Sequence, residues 1–128
     1  MPSFVRWTTR KRSPPRPRNP PRNRAERRAA WWYRVRGYLI LDTNRWIAGN
    51  ELDLVARRGR TLVFCEVKSK SSESYGDPLE MVTPTKVRRL RHAAEAWLAD
   101  HPEVGGLDVR FDVIAERGRR LEHLPDAF

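Results

Sequence analysis

The sequence predicts an α/β domain with its elements in the order α-β-β-β-α-β and its sheet flanked by helices. Three observations carry this. Segments 51–57 and 61–68 both read as strands, with Arg58-Gly59-Arg60 between them as the tight turn of a hairpin. Apolar residues recur at helical spacing on either side of it, in 24–36 and in 84–100. Leu107, Val109, Phe111 and Val113 alternate again, which adds a strand after the second helix. A sheet with helices packed on it is the layered solution for such an order.

The first helix covers about residues 24–36 and stops at Gly37. Glu26, Ala30 and Tyr33 share one of its faces by the i, i+4, i+7 rule. A strand starts at Tyr38-Leu39-Ile40-Leu41 and reaches Trp46. Centring the hairpin between Gly59 and Arg60 pairs Ala56 with Val63, Leu54 with Cys65 and Leu52 with Val67. That face is apolar throughout, and a one-residue slip would send it to the other side. Residues 69–82 are Ser-rich with Gly76 and Pro78 and read as a loop. Thr83 caps the second helix and Pro84 takes its first position. Its apolar stripe is Val87, Leu90, Ala94 and Trp97 or Leu98, and it ends near Asp100 before His101-Pro102. The fourth strand spans about 107–113, and 121–124 read as a short fifth.

A chain of 128 residues forms one domain with a real core. Its charge is uneven. The first 24 residues hold eight of the 26 basic residues, six of the ten prolines and no acid. Most of the net charge of +10 therefore lies there. Residues 1–23 read as a disordered basic arm ahead of a domain at 24–128, because such a segment buries too little apolar surface to offset its ordering entropy. Such an arm suits polyanions, nucleic acid above all; a non-specific solubilising extension is the plainer reading. No apolar run approaches a membrane span, and the N-terminus lacks the apolar stretch of a signal peptide. The expectation is a cytoplasmic protein with no membrane partner. Cys65 is the only cysteine, which leaves no internal disulfide and suits a buried structural thiol.

The opposite face of the hairpin is the informative one. The register sets Asp53 across from Glu66, and Glu51 across from Lys68. Like charges on opposed ladder positions are destabilising, so two carboxylates there call for a cation between them. Mg2+ or Mn2+ fits, since hard cations take oxygen ligands. With the first helix laid over this polar face, Glu26 points toward Asp53 and Glu66. Lys68 lies two residues from Glu66, about 6.6 Å along the strand. A metal ion polarises a phosphoryl oxygen and lowers the pKa of a bound water, and a lysine orients the water or stabilises charge on phosphorus. The constellation suits metal-dependent phosphodiester hydrolysis. A solvated, salt-bridged sheet face is the alternative.

These residues resemble the YraN-type family of small uncharacterised bacterial proteins, which are similar to the restriction-endonuclease-like PD-(D/E)XK nucleases and most of all to archaeal Holliday-junction resolvases. The resemblance covers about residues 24–128. It rests on Ala25-Glu26, Gly37-Tyr38, Glu51-Leu52-Asp53-Leu54, Phe64-Cys65-Glu66-Val67-Lys68, Tyr75-Gly76-Asp77-Pro78, Lys86, Arg110-Phe111-Asp112-Val113 and Ala127-Phe128, in that order. It implies a mixed sheet flanked by helices. It also implies Asp53 and Glu66 as metal ligands, Lys68 as the catalytic lysine, Glu26 as the carboxylate completing the site, and Lys86 near the site or the scissile phosphate. Leu52 stands where the motif's name has proline. Asn50 stands before Glu51 where the family usually has glycine, and Asn tolerates a left-handed turn conformation.

Other residues have two readings each. Glu51 is a supporting residue that holds Lys68, or an outer-sphere metal ligand. Arg57, Arg58 and Arg60 at the hairpin turn grip phosphates or are simply solvated. Of Arg88, Arg89 and Arg91 on the second helix some face solvent and one or two, Arg88 first, reach nucleic acid. Asp112 pairs with an arginine. His92, His101 and His123 show no metal spacing and suit surface or capping roles. Trp31, Trp32, Trp46 and Trp97 read as packing residues, and a base-stacking role is open to Trp46. The sequence reading is thus a Mg2+- or Mn2+-dependent endonuclease acting on DNA, branched or damaged. A homodimer is expected if cutting is structure-selective. The second reading is a catalytically inactive nucleic-acid-binding protein of the same fold.

Overall fold

A computed structural model describes residues 23–70 and 83–128. The basic arm and most of the 69–82 loop, including Tyr75-Gly76-Asp77-Pro78, lie outside the described residues. Ser69 and Lys70 belong to a strand. The elements are α1 (Arg24–Arg34), β1 (Leu39–Ile47), β2 (Asn50–Arg58), β3 (Thr61–Lys70), α2 (Pro84–Ala99), β4 (Asp108–Arg117) and β5 (Arg120–Leu124), with a 3-10 turn at Pro102–Val104. One five-stranded sheet runs in the order β1-β2-β3-β4-β5. Among the described residues only β3 and β4 pair in parallel, and α2 lies in the crossover that a parallel pair needs. The sheet is therefore mixed.

Local chemistry sets the helix ends. Asn23 Oδ1 accepts the amide of Glu26 at 2.9 Å, an N-cap with an acid in the first turn. Gly37, at φ +90°, turns the chain so that Tyr38 N donates to Tyr33 O. Thr83 Oγ1 accepts from Lys86 N at 3.1 Å and Pro84 opens α2. At the far end His101 Nδ1 lies 2.7 Å from Trp97 O and its ring stacks on Trp97, the capping role expected for it.

The two sheet faces carry separate cores. Ala29, Ala30 and Tyr33 of α1 pack on Leu54, Ala56, Val63 and Cys65. Leu90, Ala93, Ala94 and Trp97 of α2 pack on Val55, Leu62, Phe64 and Phe111. Trp97 alone, 1% exposed, accounts for roughly 3 kcal/mol of apolar burial. The helices thus flank opposite faces, and this corrects one expectation. Helix α1 covers the apolar face of the hairpin, not the polar one. The small Ala29 and Ala30 seat α1 closely on the apolar face, where Tyr33 turns its hydroxyl to Asp112, and α2 covers the face that holds Glu66.

The hairpin register is as expected from Leu54↔Cys65 through Ala56↔Val63 to Arg58↔Thr61. It stops there, which corrects the next pairs. Leu52 does not continue the Leu54–Ala56 face but joins the core under α2. The β1–β2 ladder likewise passes from Thr43↔Leu54 to Arg45↔Leu52, with Asn44 between them at φ 48°. That left-handed residue interrupts the regular alternation. The positive-φ turn before β2 is formed by Ala48 and Gly49, at φ 53° and 75°. Asn50 begins β2 and donates its side-chain amide to Ala48 O; it is not the left-handed residue. Among the described residues no helix is long and apolar enough to cross a membrane.

Candidate active site

The site forms where the β2–β3 ladder opens. Asp53 leaves the ladder and its Oδ2 accepts the amide of Val67 at 3.0 Å. This bond replaces a strand-to-strand bond and fixes the carboxylate beside the end of β3. Glu66 is buried at 5% exposure. Its Oε2 receives two ammonium groups, Lys68 Nζ at 3.1 Å and Lys86 Nζ at 2.8 Å. Thus β2, β3 and the first turns of α2 each bring a charged side chain to one place. Lys86 is directed here because Thr83 and Pro84 fix where α2 starts.

Electrostatics divide the cluster. Asp53 is pushed up to about 7 by burial and by the Glu66 carboxylate, with smaller contributions from Glu51 and Glu26; the Val67 amide pulls the other way. Burial lowers the Lys68 pKa and the neighbouring Lys86 lowers it further, against the pull of Glu66. For Lys86 burial acts downward too, but its hydrogen bond to Glu66 prevails and the net direction is upward. So Glu66 is well supplied with positive charge, and Asp53 is short of it.

The cluster opens on a cavity of ≈ 310 Å³ lined by Asp53, Glu66, Glu51, Asn50, Lys86, Arg89, Trp46, Gly49 and Leu90. Glu51 belongs to this wall, and its carboxylate helps to raise the Asp53 pKa. The expected opposition of Glu51 and Lys68 lies beyond the end of the ladder, and Lys68 pairs with Glu66. Glu26 is buried on α1 and acts on Asp53 through its charge. Its helix is tied to β4 by Arg28, whose Nη1 donates to Glu116 Oε2 at 2.6 Å.

The hairpin arginines stand elsewhere. Arg58 is five residues along β2 from Asp53, about 16 Å. It donates to Arg36 O and lies over the Tyr38 ring, Arg57 donates to Gly59 O, and Arg60 donates to Gly106 O. Arg88 is exposed and bonded to Thr85. The cavity wall takes Arg89 instead. The sequence held the signal for this, since Arg89 is i+3 from Lys86 and shares its helix face. Trp46 belongs to β1 and is 68% exposed, whereas Trp97 is core.

A second buried carboxylate proves structural. Asp112, fully buried, pairs with Arg110 at 2.8 Å through both of its oxygens, the arginine partner expected. It also accepts from Tyr33 Oη at 2.6 Å and from Asp126 N, and lies 2.8 Å from His123 Nε2. His123 is therefore an internal partner and not a surface residue. Burial would raise Asp112, but His123, Arg110, Tyr33 and the Asp126 amide outweigh it and hold it well below the usual carboxylate range. Cys65 is buried and its thiol is pushed up, chiefly by desolvation, in line with a structural role.

Among the described residues no three or more His, Cys, Asp or Glu side chains form a ready metal cage. Asp53 and Glu66 are a two-carboxylate set. Mg2+ is commonly held by one or two carboxylates, with waters and substrate phosphates completing its shell. The all-oxygen donors and the unbalanced negative charge around Asp53 fit such an ion.

Residues 25–115, most of the domain, match the family described as Uncharacterised protein family UPF0102. The chain belongs to this family. A UPF0102 protein of Anaeromyxobacter dehalogenans is 45% identical over 106 residues, covering 78% of this chain and 77% of the relative. One of Geobacter sulfurreducens is 47% identical over 107 residues, 78% of this chain and 80% of the relative. One of Acidothermus cellulolyticus is 42% identical over 117 residues, 80% and 89% respectively. The UPF0102 match spans Glu26, Asp53, Glu66, Lys68 and Lys86 together.

Proposed function

We propose that this UPF0102 protein is a metal-dependent endonuclease that hydrolyses phosphodiester bonds in DNA, with branched or damaged DNA as its substrate class, acting in the cytoplasm. One observation carries the reading. Asp53, raised toward neutrality by burial and neighbouring carboxylates, stands at the wall of an open cavity beside two lysines that share Glu66. A residue in a cleft whose pKa is strongly shifted by desolvation and specific charged neighbours is a functional-site candidate.

Asp53 and Glu66 would hold Mg2+ or Mn2+, which when bound polarises a phosphoryl oxygen and makes a water more acidic. The rest of the chemistry falls to the chain. The Val67 amide fixes the orientation of Asp53. Lys68, bonded to Glu66 and with its pKa drawn down, would orient the attacking water and exchange a proton with it. Lys86, one-third exposed in its side chain, reaches from Glu66 toward a phosphate in the cavity. Arg89 adds a second cation on the same wall. Glu26 and Glu51 keep the local potential negative, which favours capture of a divalent cation.

The test is cleavage of labelled four-way junctions, flaps, duplexes and single strands in Mg2+ and Mn2+, beside Asp53→Asn. Metal-dependent cutting that the variant loses is the expected result. Equal binding by both proteins with no cutting of any substrate would replace this reading with a nucleic-acid-binding module.

A further inference from the structure

Among the described residues Trp46 is the one large aromatic lining the cavity, and it is 68% exposed. The other described tryptophans differ from it. Trp97 is buried and stacked by His101, and Trp32 lies against His123 and under the Arg36 guanidinium. Trp31 is also exposed, but on α1 and away from the cavity wall. Trp46 is also fixed in place. It is paired with Glu51 in the β1–β2 ladder, two residues from Asp53, one residue before Ile47, which packs against the core. A rigid backbone thus holds an exposed, flat, apolar surface beside the charged cluster. Lys86 and Arg89 supply cations to the same wall, and Asn50 supplies a polar side chain.

Phosphate binding needs the cations but has no use for the indole. An unpaired nucleobase does, because every base has a π-face that stacks on an aromatic ring whatever its sequence. In a continuous duplex the base faces are already stacked and unavailable. We propose that Trp46 is a stacking platform for an unpaired base next to the phosphate held by Lys86 and Arg89, so that the site takes nucleic acid with a single-stranded element at this position. The proposal rests on the nucleic-acid reading of the site but not on turnover.

The test separates stacking from charge. The full-length protein is titrated, in chelator at fixed salt, with a labelled single-stranded DNA and with the same strand made fully abasic. Both strands carry equal phosphate charge, so the affinity ratio isolates the bases from the basic arm. Wild type should prefer the base-bearing strand by roughly 5- to 150-fold. Trp46→Ala should lose that preference, and Trp46→Phe should keep part of it. An RNA strand of the same sequence should behave alike, since stacking does not read the sugar. Trp46 is exposed, so its removal opens no cavity; thermal melting of the variants verifies their folding. A preference that survives Trp46→Ala, or that is absent in wild type, overturns the proposal. Cleavage without Trp46 dependence would leave the nuclease reading intact, and Trp46 dependence without cleavage would assign the platform to a binding module.

Discussion

Asp112 and Asp53 lie on strands separated only by β3, yet they have opposite surroundings. Asp112 receives Arg110, Tyr33, His123 and a backbone amide, and its pKa falls. Asp53 receives one amide and faces Glu66, Glu51 and Glu26, and its pKa rises to about 7. A carboxylate whose lone pairs are satisfied by partners stabilises the fold. One surrounded by like charge destabilises it, and persists where something outside the folded chain gains from it. The contrast sets the acid that belongs to the architecture apart from the one to which the proposed chemistry is assigned.

The largest effect expected is at Asp112. In Asp112→Asn the buried Tyr33 hydroxyl, the Arg110 guanidinium and His123 lose a charged partner, at a cost of about 3 kcal/mol or more, read by urea unfolding at pH 7. The acid limb should change as well. A depressed folded pKa gives stability that is present above about pH 4 and is lost as pH falls further. Asp112→Asn should flatten that loss. A change below about 1 kcal/mol would remove the structural half of the comparison.

Asp53→Asn should act in the opposite direction. Its folded pKa lies above the unfolded value, so its contribution is present below about pH 4 and is lost as pH rises through about 7. Asparagine keeps an oxygen for Val67 N and drops the charge. In metal-free buffer at pH 8 the variant should be more stable than wild type, by at most ~4 kcal/mol at about 1.4 kcal/mol per pH unit. The gain should shrink toward pH 5. Chemical denaturation at both pH values measures it, and a destabilised Asp53→Asn at pH 8 would contradict the strain assigned to the site.

The same contrast explains what was readable in the chain. The order of elements, the Thr83-Pro84 helix start and the register from Leu54 to Arg58 follow from neighbours in sequence, through alternation, caps and turn chemistry. The network around Asp112 draws on Tyr33, 79 residues away, and on His123, so only its arginine partner was visible locally. At the site the residue types were legible, but their geometry was not. Extending the ladder past Leu54 put Asp53 opposite Glu66 and α1 above both. The departure of Asp53 to Val67 N and the placement of α1 on the apolar face are set by packing across the sheet, which alternation along one strand does not encode. Among Arg88, Arg89 and Arg91, the i+3 spacing from Lys86 singles out Arg89, which is the one on the cavity wall.

The smallest stability effect expected is at Lys86, and it tests the division of labour within the cluster. Its side chain is 37% exposed, and Glu66 retains Lys68 when Lys86 is lost. Lys86→Met should therefore shift stability by less than about 1 kcal/mol. Its consequence lies at Lys68, whose pKa Lys86 helps to hold down. Without that neighbouring cation the Lys68 ammonium gains a less contested hold on Glu66 and its pKa moves up. Nitrogen NMR of the Lys68 ammonium reads this directly, with no need for turnover. Any cleavage limb that depends on Lys68 should move to higher pH in parallel, while Lys86→Arg, which keeps the charge, should leave both near their wild-type positions. An unmoved Lys68 titration in Lys86→Met would mean that the two lysines act independently, and that the depressed member of the pair owes its state to burial alone.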